Sequence, residues 1–162
     1  RPLIIDSDIR DNYDGVMIWD PTADPGNPDQ NPQLYTSDAW YNANWEYQRI
    51  RLNARFGVGV RAGATPYIGK WGGDIWVNAN DIQANGYANV ASQDSAAPRI
   101  YYNFIEGVIS YYYTNEDNPG RMGVICKDKA APVIVGNYIS DHNLNGVAAK
   151  DEAAPEIGPA GS

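Results

Sequence analysis

Carboxylates recur at one frame position of this chain, at a spacing that could hold a metal ion. Asp20, Asp94, Asp128 and Asp151 occupy equivalent places in related segments, with Ala62 breaking the series. Like charges about 5 Å apart on neighbouring strands repel, so something must compensate them. One candidate is Ca²⁺ on Asp94, Asp128 and Asp151, because calcium takes several carboxylate oxygens. The other is the adjacent position, Trp19, Arg61, Gln93, Lys127 and Lys150, whose cations lie beside the acids. The plainer reading is a solvated charged face with local pairing.

Other reactive types stand in weaker settings. Asp6, Asp8, Asp11 and Asp14 with Asn12 and Gly15 resemble a calcium loop but lack EF-hand spacing and the closing Glu, so a polar turn is expected. His142, the only histidine, aligns with Asn12, Asn53 and Asn85 in a polar turn position. It has no companion nitrogen or sulfur ligands and no nucleophile signature, so no catalytic residue is assigned. Cys126 aligns with Val60 and Ala149 and reads as a buried, inert thiol.

Aromatic residues gather in three stretches: Trp19, Tyr35, Trp40, Tyr41, Trp45 and Tyr47; Trp71 and Trp76; and Tyr111, Tyr112 and Tyr113. Rings among Asn, Asp and Gln suit sugar stacking, protein contact, or packing against the chain's own flank.

These residues are positioned by an internal repeat. GVGVRAGATPYI (57–68), NVASQDSAAPRI (89–100), GVICKDKAAPVI (123–134) and GVAAKDEAAPEI (146–157) align without a gap, and GVMIWD (15–20) is a weaker start. A second element surrounds an isoleucine in IRLNARFGV, IQANGYANV and ISDHNLNGV. The isoleucines Ile9, Ile50, Ile82, Ile105 and Ile139 are spaced by 41, 32, 23 and 34 residues. The shortest spacing is a bare coil, and the longer ones carry three insertions, at about 19–45, 69–76 and 108–121. A period of about 20–25 residues with β-branched stretches marks a solenoid.

Stacking the coils gives rows: Val16, Val58, Val90, Val124, Val147; Ile18, Val60, Ser92, Cys126, Ala149; Ile4, Ile68, Ile100, Ile134, Ile157; and the spacing isoleucines. Alternation in steps of two puts the first two rows on one inward strand face. Ser7, Gln48, Asn80, Asn103 and Asn137 predict an asparagine ladder at a turn, where Asn tolerates a left-handed backbone. Pro2, Pro66, Pro98, Pro132 and Pro155 mark the corner where a strand begins. The expected fold is all-β: a right-handed parallel β-helix of about five coils with three loop insertions. One domain spans 1–157, and 158–162 is a tail or linker.

The segments GVICKDKAAPVIVGNYISDHNLNGVAAKDEAAPEI and GVGVRAGATPYIG resemble the repeats of the pectin-lyase-like right-handed β-helix superfamily. They are especially similar to the generic β-helix region of copper-site periplasmic proteins, carbohydrate epimerases and certain F-box proteins. The resemblance covers nearly the whole chain outside the insertions. It implies the fold but not an activity, because that superfamily spans enzymes, phage tailspikes and structural repeats. Its polysaccharide lyases use Asp clusters with Ca²⁺ and a basic residue on uronate sugars. That resemblance would assign Asp94, Asp128 and Asp151 with Lys127 or Arg61, although no family catalytic motif accompanies them.

The 162 residues carry 20 Asp and Glu against 12 Lys and Arg, a net charge of −8 that disfavours nucleic acid as a partner. No run approaches the roughly 20 apolar residues of a membrane helix, so no membrane partner is expected. A single cysteine allows no internal disulfide. The start at Arg1 suggests a processed form or an excised piece. Arg1-Pro2-Leu3-Ile4 matches Ala154-Pro155-Glu156-Ile157, so the chain is expected to hold a whole number of turns with uncapped ends.

Uncapped β-helix ends recruit other chains. The leading expectation is a non-enzymatic scaffolding solenoid, extracellular or at the cell surface, without cofactor. It would stack head to tail with copies of itself or with adjacent repeats, burying Val147, Ala149 and Ile157 under Ile4, Ile9 and Val16. The alternative is a carbohydrate-binding or polysaccharide-processing β-helix of the lyase or epimerase type.

Overall fold

A computed structural model of the chain describes residues 3–5, 7–19, 33–35, 48–70, 79–107 and 121–158. These residues form strands and turns and no helix. The first coil holds β1 (Leu3–Ile5), β2 (Asp8–Arg10) and β3 (Asp14–Trp19). The second holds β4 (Gln33–Tyr35), β5 (Gln48–Arg51) and β6 (Phe56–Arg61), and the third β7 (Tyr67–Ile68), β8 (Asn80–Gln83) and β9 (Ala88–Ser92). The fourth holds β10 (Arg99–Tyr101), β11 (Phe104–Glu106) and β12 (Met122–Cys126), and the fifth β13 (Val133–Val135), β14 (Tyr138–Ser140) and β15 (Asn145–Ala149). Strand β16 (Glu156–Gly158) opens another turn.

Every strand pairs in parallel with the strand three further along the chain. The first sheet runs β1-β4-β7-β10-β13-β16, the second β2-β5-β8-β11-β14, and the third β3-β6-β9-β12-β15. The chain thus visits three parallel sheets in rotation, which is consistent with a parallel β-solenoid.

The rows fall in register. Val16, Val58, Val90, Val124 and Val147 are successive partners, as are Ile18, Val60, Ser92, Cys126 and Ala149. The spacing isoleucines pair in order through the second sheet. Inward side chains of all three sheets meet in one core, where Ile50, Val58, Ile68, Ile82, Val90, Ile100, Ile105 and Val124 are fully buried. At about 25 cal/mol per Å² of apolar surface, such columns supply most of the drive to fold, and no coil could bury its face alone.

One expectation is corrected. Ile4 pairs with Leu34, and Leu34 with Ile68, so the first-sheet row holds Leu34 between them. The insertion expected over 19–45 is therefore interrupted by a regular strand, and Tyr35 lies on that strand rather than in a loop. From Ile4 to Ile157 the row makes five complete turns and returns to the same point of the coil, so among the described residues the first sheet has six strands and the others five.

The turns explain the polar frame positions. Between the second and third sheets one residue takes a left-handed conformation in four of the five coils: Asp11 (φ 60°), Leu52 (56°), Ala84 (45°) and Asp141 (58°). Between the third and first sheets two successive residues do so: Ala62-Gly63, Asp94-Ser95, Asp128-Lys129 and Asp151-Glu152. Asp tolerates this conformation better than most residues.

A second apolar cluster lies on the outward face of the third sheet. Phe56, Ala88, Ala91, Met122 and Ile125 are buried there, with Tyr87 and Ala148 packed against them.

Candidate functional site

Two amide ladders run along the stack. In one, Asn80 Nδ2 donates to Asn103 Oδ1 (2.6 Å) and Asn103 Nδ2 to Asn137 Oδ1 (2.8 Å). These are the Asn80, Asn103 and Asn137 rungs of the ladder expected from the sequence; the side chain of Gln48 lies outside the described residues. The other follows the left-handed turn residues after the second sheet and replaces the simple polar turn expected there. Asn12 donates to Asn53 Oδ1 from its backbone N–H (3.1 Å), and Asn53 Nδ2 donates to Asn85 Oδ1 (2.9 Å). Asn85 Nδ2 then donates to Asn89 Oδ1 (2.8 Å), and Asn89 Nδ2 lies 3.1 Å from His142 Nε2. Asn53, Asn85 and Asn89 are fully or almost fully buried.

Asn89 stands where the other coils carry Gly15, Gly57, Gly123 and Gly146. A Cβ at Gly57 would lie 2.5 Å from Asn85 Nδ2, so the ladder amide fills the space beside that glycine. In the third coil the amide comes from Asn89 itself. It also donates to the Glu106 carbonyl (2.8 Å), as Asn85 does to the Ile50 carbonyl (3.0 Å).

The ladder has polarity. Each rung donates towards the C-terminal end and accepts from the N-terminal side. His142 Nε2 accepts from the Asn89 amide, so neutral His142 carries its proton on Nδ1. Burial lowers the His142 pKa from its ordinary value, against the raising effect of Asp141, which favours the neutral ring.

The two ends of the stack carry the exposed large apolar side chains found among the described residues. Tyr13, Met17 and Trp19 belong to the first coil; Tyr138 and Leu144 belong to the fifth, and Ile157 to β16. Trp19 is 75% exposed and Ile157 62%. Of the residues expected to stack, Ile157 and Ala149 are exposed and Val147, Ile4 and Ile9 half-buried, whereas Val16 is already buried. The register adds Ile139 and Ile18, which continue the rows of Ile9 and Ala149 and pack on the core from the two ends.

The outward face of the second sheet brings together a group that the sequence reading missed. Asp8, Arg49, Asp81, Phe104 and Tyr138 form one row, and Arg10, Arg51, Gln83, Glu106 and Ser140 the next. Gln83 Nε2 donates to Glu106 Oε2 (2.8 Å), and Arg51 Nη2 donates to Asp8 Oδ2 (3.1 Å). Burial raises the Asp81 pKa to about 7, with Glu106 adding to the rise and Arg49 and Arg51 opposing it. Burial also raises Glu106, followed by the charge of Asp141, while Gln83 holds it down. Asp81 can therefore exchange a proton near neutrality, and Glu106 on the adjacent strand is raised in the same direction. Asp81 and Glu106 flank spacing isoleucines, a frame position that could have drawn attention to them.

The sequence-derived sites fare unevenly. Asp94, Asp128 and Asp151 each take the first left-handed position of a turn, and Lys150 lies 3.7 Å from Asp151. Among the described residues no three His, Cys, Asp or Glu side chains are grouped to hold a metal ion. Asp14 is held by Arg55, whose Nε donates to Oδ1 (2.8 Å). That bond is the main reason the Asp14 pKa is lowered, with burial opposing it. Cys126 is buried, which raises its thiol pKa to about 11. Trp40, Tyr41, Trp45, Tyr47, Trp71, Trp76, Tyr111, Tyr112 and Tyr113 lie outside the described residues, as does the side chain of Tyr35.

The chain matches no protein-family model, no curated protein and no solved structure.

Proposed function

We propose that this chain is a right-handed, pectin-lyase-like β-solenoid whose work is structural, stacking head to tail into a scaffold outside the cell. The observation that carries this reading is that, among the described residues, the exposed large apolar side chains Tyr13, Met17, Trp19, Tyr138, Leu144 and Ile157 fall at the two ends of the stack. Exposed apolar clusters mark interaction surfaces, and open strand edges template further strands. Continuing the rows from one copy to the next sets Ile139 against Ile9, Val147 against Val16 and Ala148 against Met17. Neighbouring coils of a longer solenoid would cover the same surfaces in the same way. A heterologous contact of this kind propagates rather than closing on itself.

The test is sedimentation over a wide concentration range. Association that grows with concentration and is abolished by Ile157→Arg supports the reading. A monomer at every concentration overturns it.

A second reading is favoured by the Asp81–Glu106 group: a polysaccharide-processing face on the second sheet, with Arg49 and Arg51 beside it to attract anionic sugars. Trapping of an anionic polysaccharide that is lost in Arg49→Ala and Arg51→Ala would support it. No retention by the wild type would dismiss it.

A further inference from the structure

We infer that the junction between copies is a strand replacement, in which β16 of one copy takes the place of β1 in the next. This rests on the head-to-tail reading above and specifies its interface.

The argument begins from the strand inventory. Among the described residues the first sheet has six strands and the other two have five. If a second copy kept its β1 and placed it on β16, the first sheet would be continuous. The second and third sheets would then each lack one strand at the junction. That gap would leave Ile139 and Val147 without partners one strand away, although the rows they belong to are otherwise unbroken. If instead β2 and β3 of the second copy sit directly on β14 and β15, every row continues. The position of its β1 is then already filled by β16.

The two strands are equivalent in the frame. Ile4 and Ile157 hold the two ends of the same inward row, and Leu3-Ile4-Ile5 matches Glu156-Ile157-Gly158 residue for residue. In the junction Glu156 would pair with Gln33 of the next copy, Ile157 with Leu34 and Gly158 with Tyr35, as Leu3, Ile4 and Ile5 do within one copy. Ile157, exposed in the isolated chain, would enter the core row.

The amide ladder supports the same spacing independently. Each rung donates towards the C-terminal end, and His142 is the last. With Nε2 accepting from Asn89, His142 has an N–H on Nδ1 left to give. The acceptor that opens the ladder is Asn12 Oδ1, since Asn12 uses its amide nitrogen on the Arg10 carbonyl (3.0 Å) and Asn53 Oδ1 (3.3 Å). Strand replacement sets Asn12 of the next copy one coil beyond His142, donor to acceptor. Simple stacking would leave a rung missing. The same polarity disfavours head-to-head or tail-to-tail contact, which would oppose two acceptors or two donors.

Two paired-cysteine variants of the full chain test the geometry after mild oxidation. Within one copy, positions 33 and 156 lie four strands apart in the first sheet, about 19 Å, beyond disulfide reach. Strand replacement brings Glu156 of one copy beside Gln33 of the next, about 4.8 Å away, within the range a disulfide spans. The variant with Gln33→Cys and Glu156→Cys should therefore form covalent chains of many copies. The variant with Leu3→Cys and Glu156→Cys should not. The reverse result would overturn strand replacement while keeping head-to-tail stacking. Absence of both products in an assembled sample would also overturn it. A wild type that never associates would remove both ideas. Deleting residues 1–5, which removes the competing strand, should lower the concentration at which assembly begins. Loss of assembly in a deletion variant that still folds by circular dichroism would contradict the replacement.

Discussion

Asn89→Gly is the substitution that a repeat consensus would recommend, since four other coils carry glycine at this position. The structure predicts damage instead. Removing the side chain leaves the buried Asn85 N–H without its 3.1 Å acceptor and His142 Nε2 without the Asn89 amide, while the Glu106 carbonyl keeps the Ala84 N–H (3.0 Å). An orphaned buried polar group costs about 1–3 kcal/mol. His142 is only half-buried and water can serve it, so it belongs at the low end of that range. Glycine within a strand adds roughly 0.5–1 kcal/mol of backbone entropy. The total is about 2.5–5 kcal/mol, a large share of the roughly 5–15 kcal/mol that holds a domain together. For a chain of this length 1 kcal/mol shifts Tm by about 2–4 °C, so the Tm followed by circular dichroism should fall by about 5–20 °C. A change within about 2 °C, the range of an ordinary surface substitution, would refute the ladder as a source of stability.

Other outcomes follow from the same structure. Val90→Asp and Ile134→Asp place an unpaired charge in the core, costing several kcal/mol, and should abolish cooperative melting, whereas exposed Lys150→Asp should shift it little. Ile125→Asp should behave like the core variants despite its outward frame position, because that face is buried; a fold unaffected by it would show that the cluster contributes nothing. Asp81 is raised in the folded state, so its contribution is fully present below its ordinary pKa of 3.8 and is lost as pH rises through about 7. Asp81→Asn should therefore gain Tm relative to the wild type across that window, and a constant difference between the two curves would contradict the assignment. A chelator should leave Tm unchanged, since Asp94, Asp128 and Asp151 serve turns; a fall restored by Ca²⁺ and absent in Asp128→Asn would favour a metal on that column.

The core rows were legible because a stacked coil reuses the same residue type at the same frame position. Val16, Val58, Val90, Val124 and Val147 are all valine, and the isoleucines flanking the second-sheet turns never vary. Leu34 escaped because its strand is three residues long, contains no β-branched residue, and stands far from its repeat neighbours in sequence. Asn89 escaped for a different reason: its amide serves the ladder from another frame position. The fourth coil carries Val108 where an asparagine would be expected, and the third carries Asn89 where the others have glycine. Those two exceptions in adjacent coils are the signal that could have revealed the substitution. The carboxylate group on the second sheet escaped because the rows of Asp81 and Glu106 mix acids with Arg, Gln, Phe, Tyr and Ser and so show no acidic repeat. The burial that raises Asp81 and Glu106 depends on packing, which frame positions alone do not report.

The most direct test of the central claim is the axial repeat of an assembled sample, measured by electron microscopy with helical averaging. Strand replacement adds five strand levels per copy, so the rise should be about 24 Å, with strands stacked about 4.8 Å apart along the axis. A rise of about 29 Å would mean that β1 and β16 are both kept at the junction. Discrete single particles without any axial repeat, at concentrations well above those in solution assays, would contradict end-to-end stacking itself.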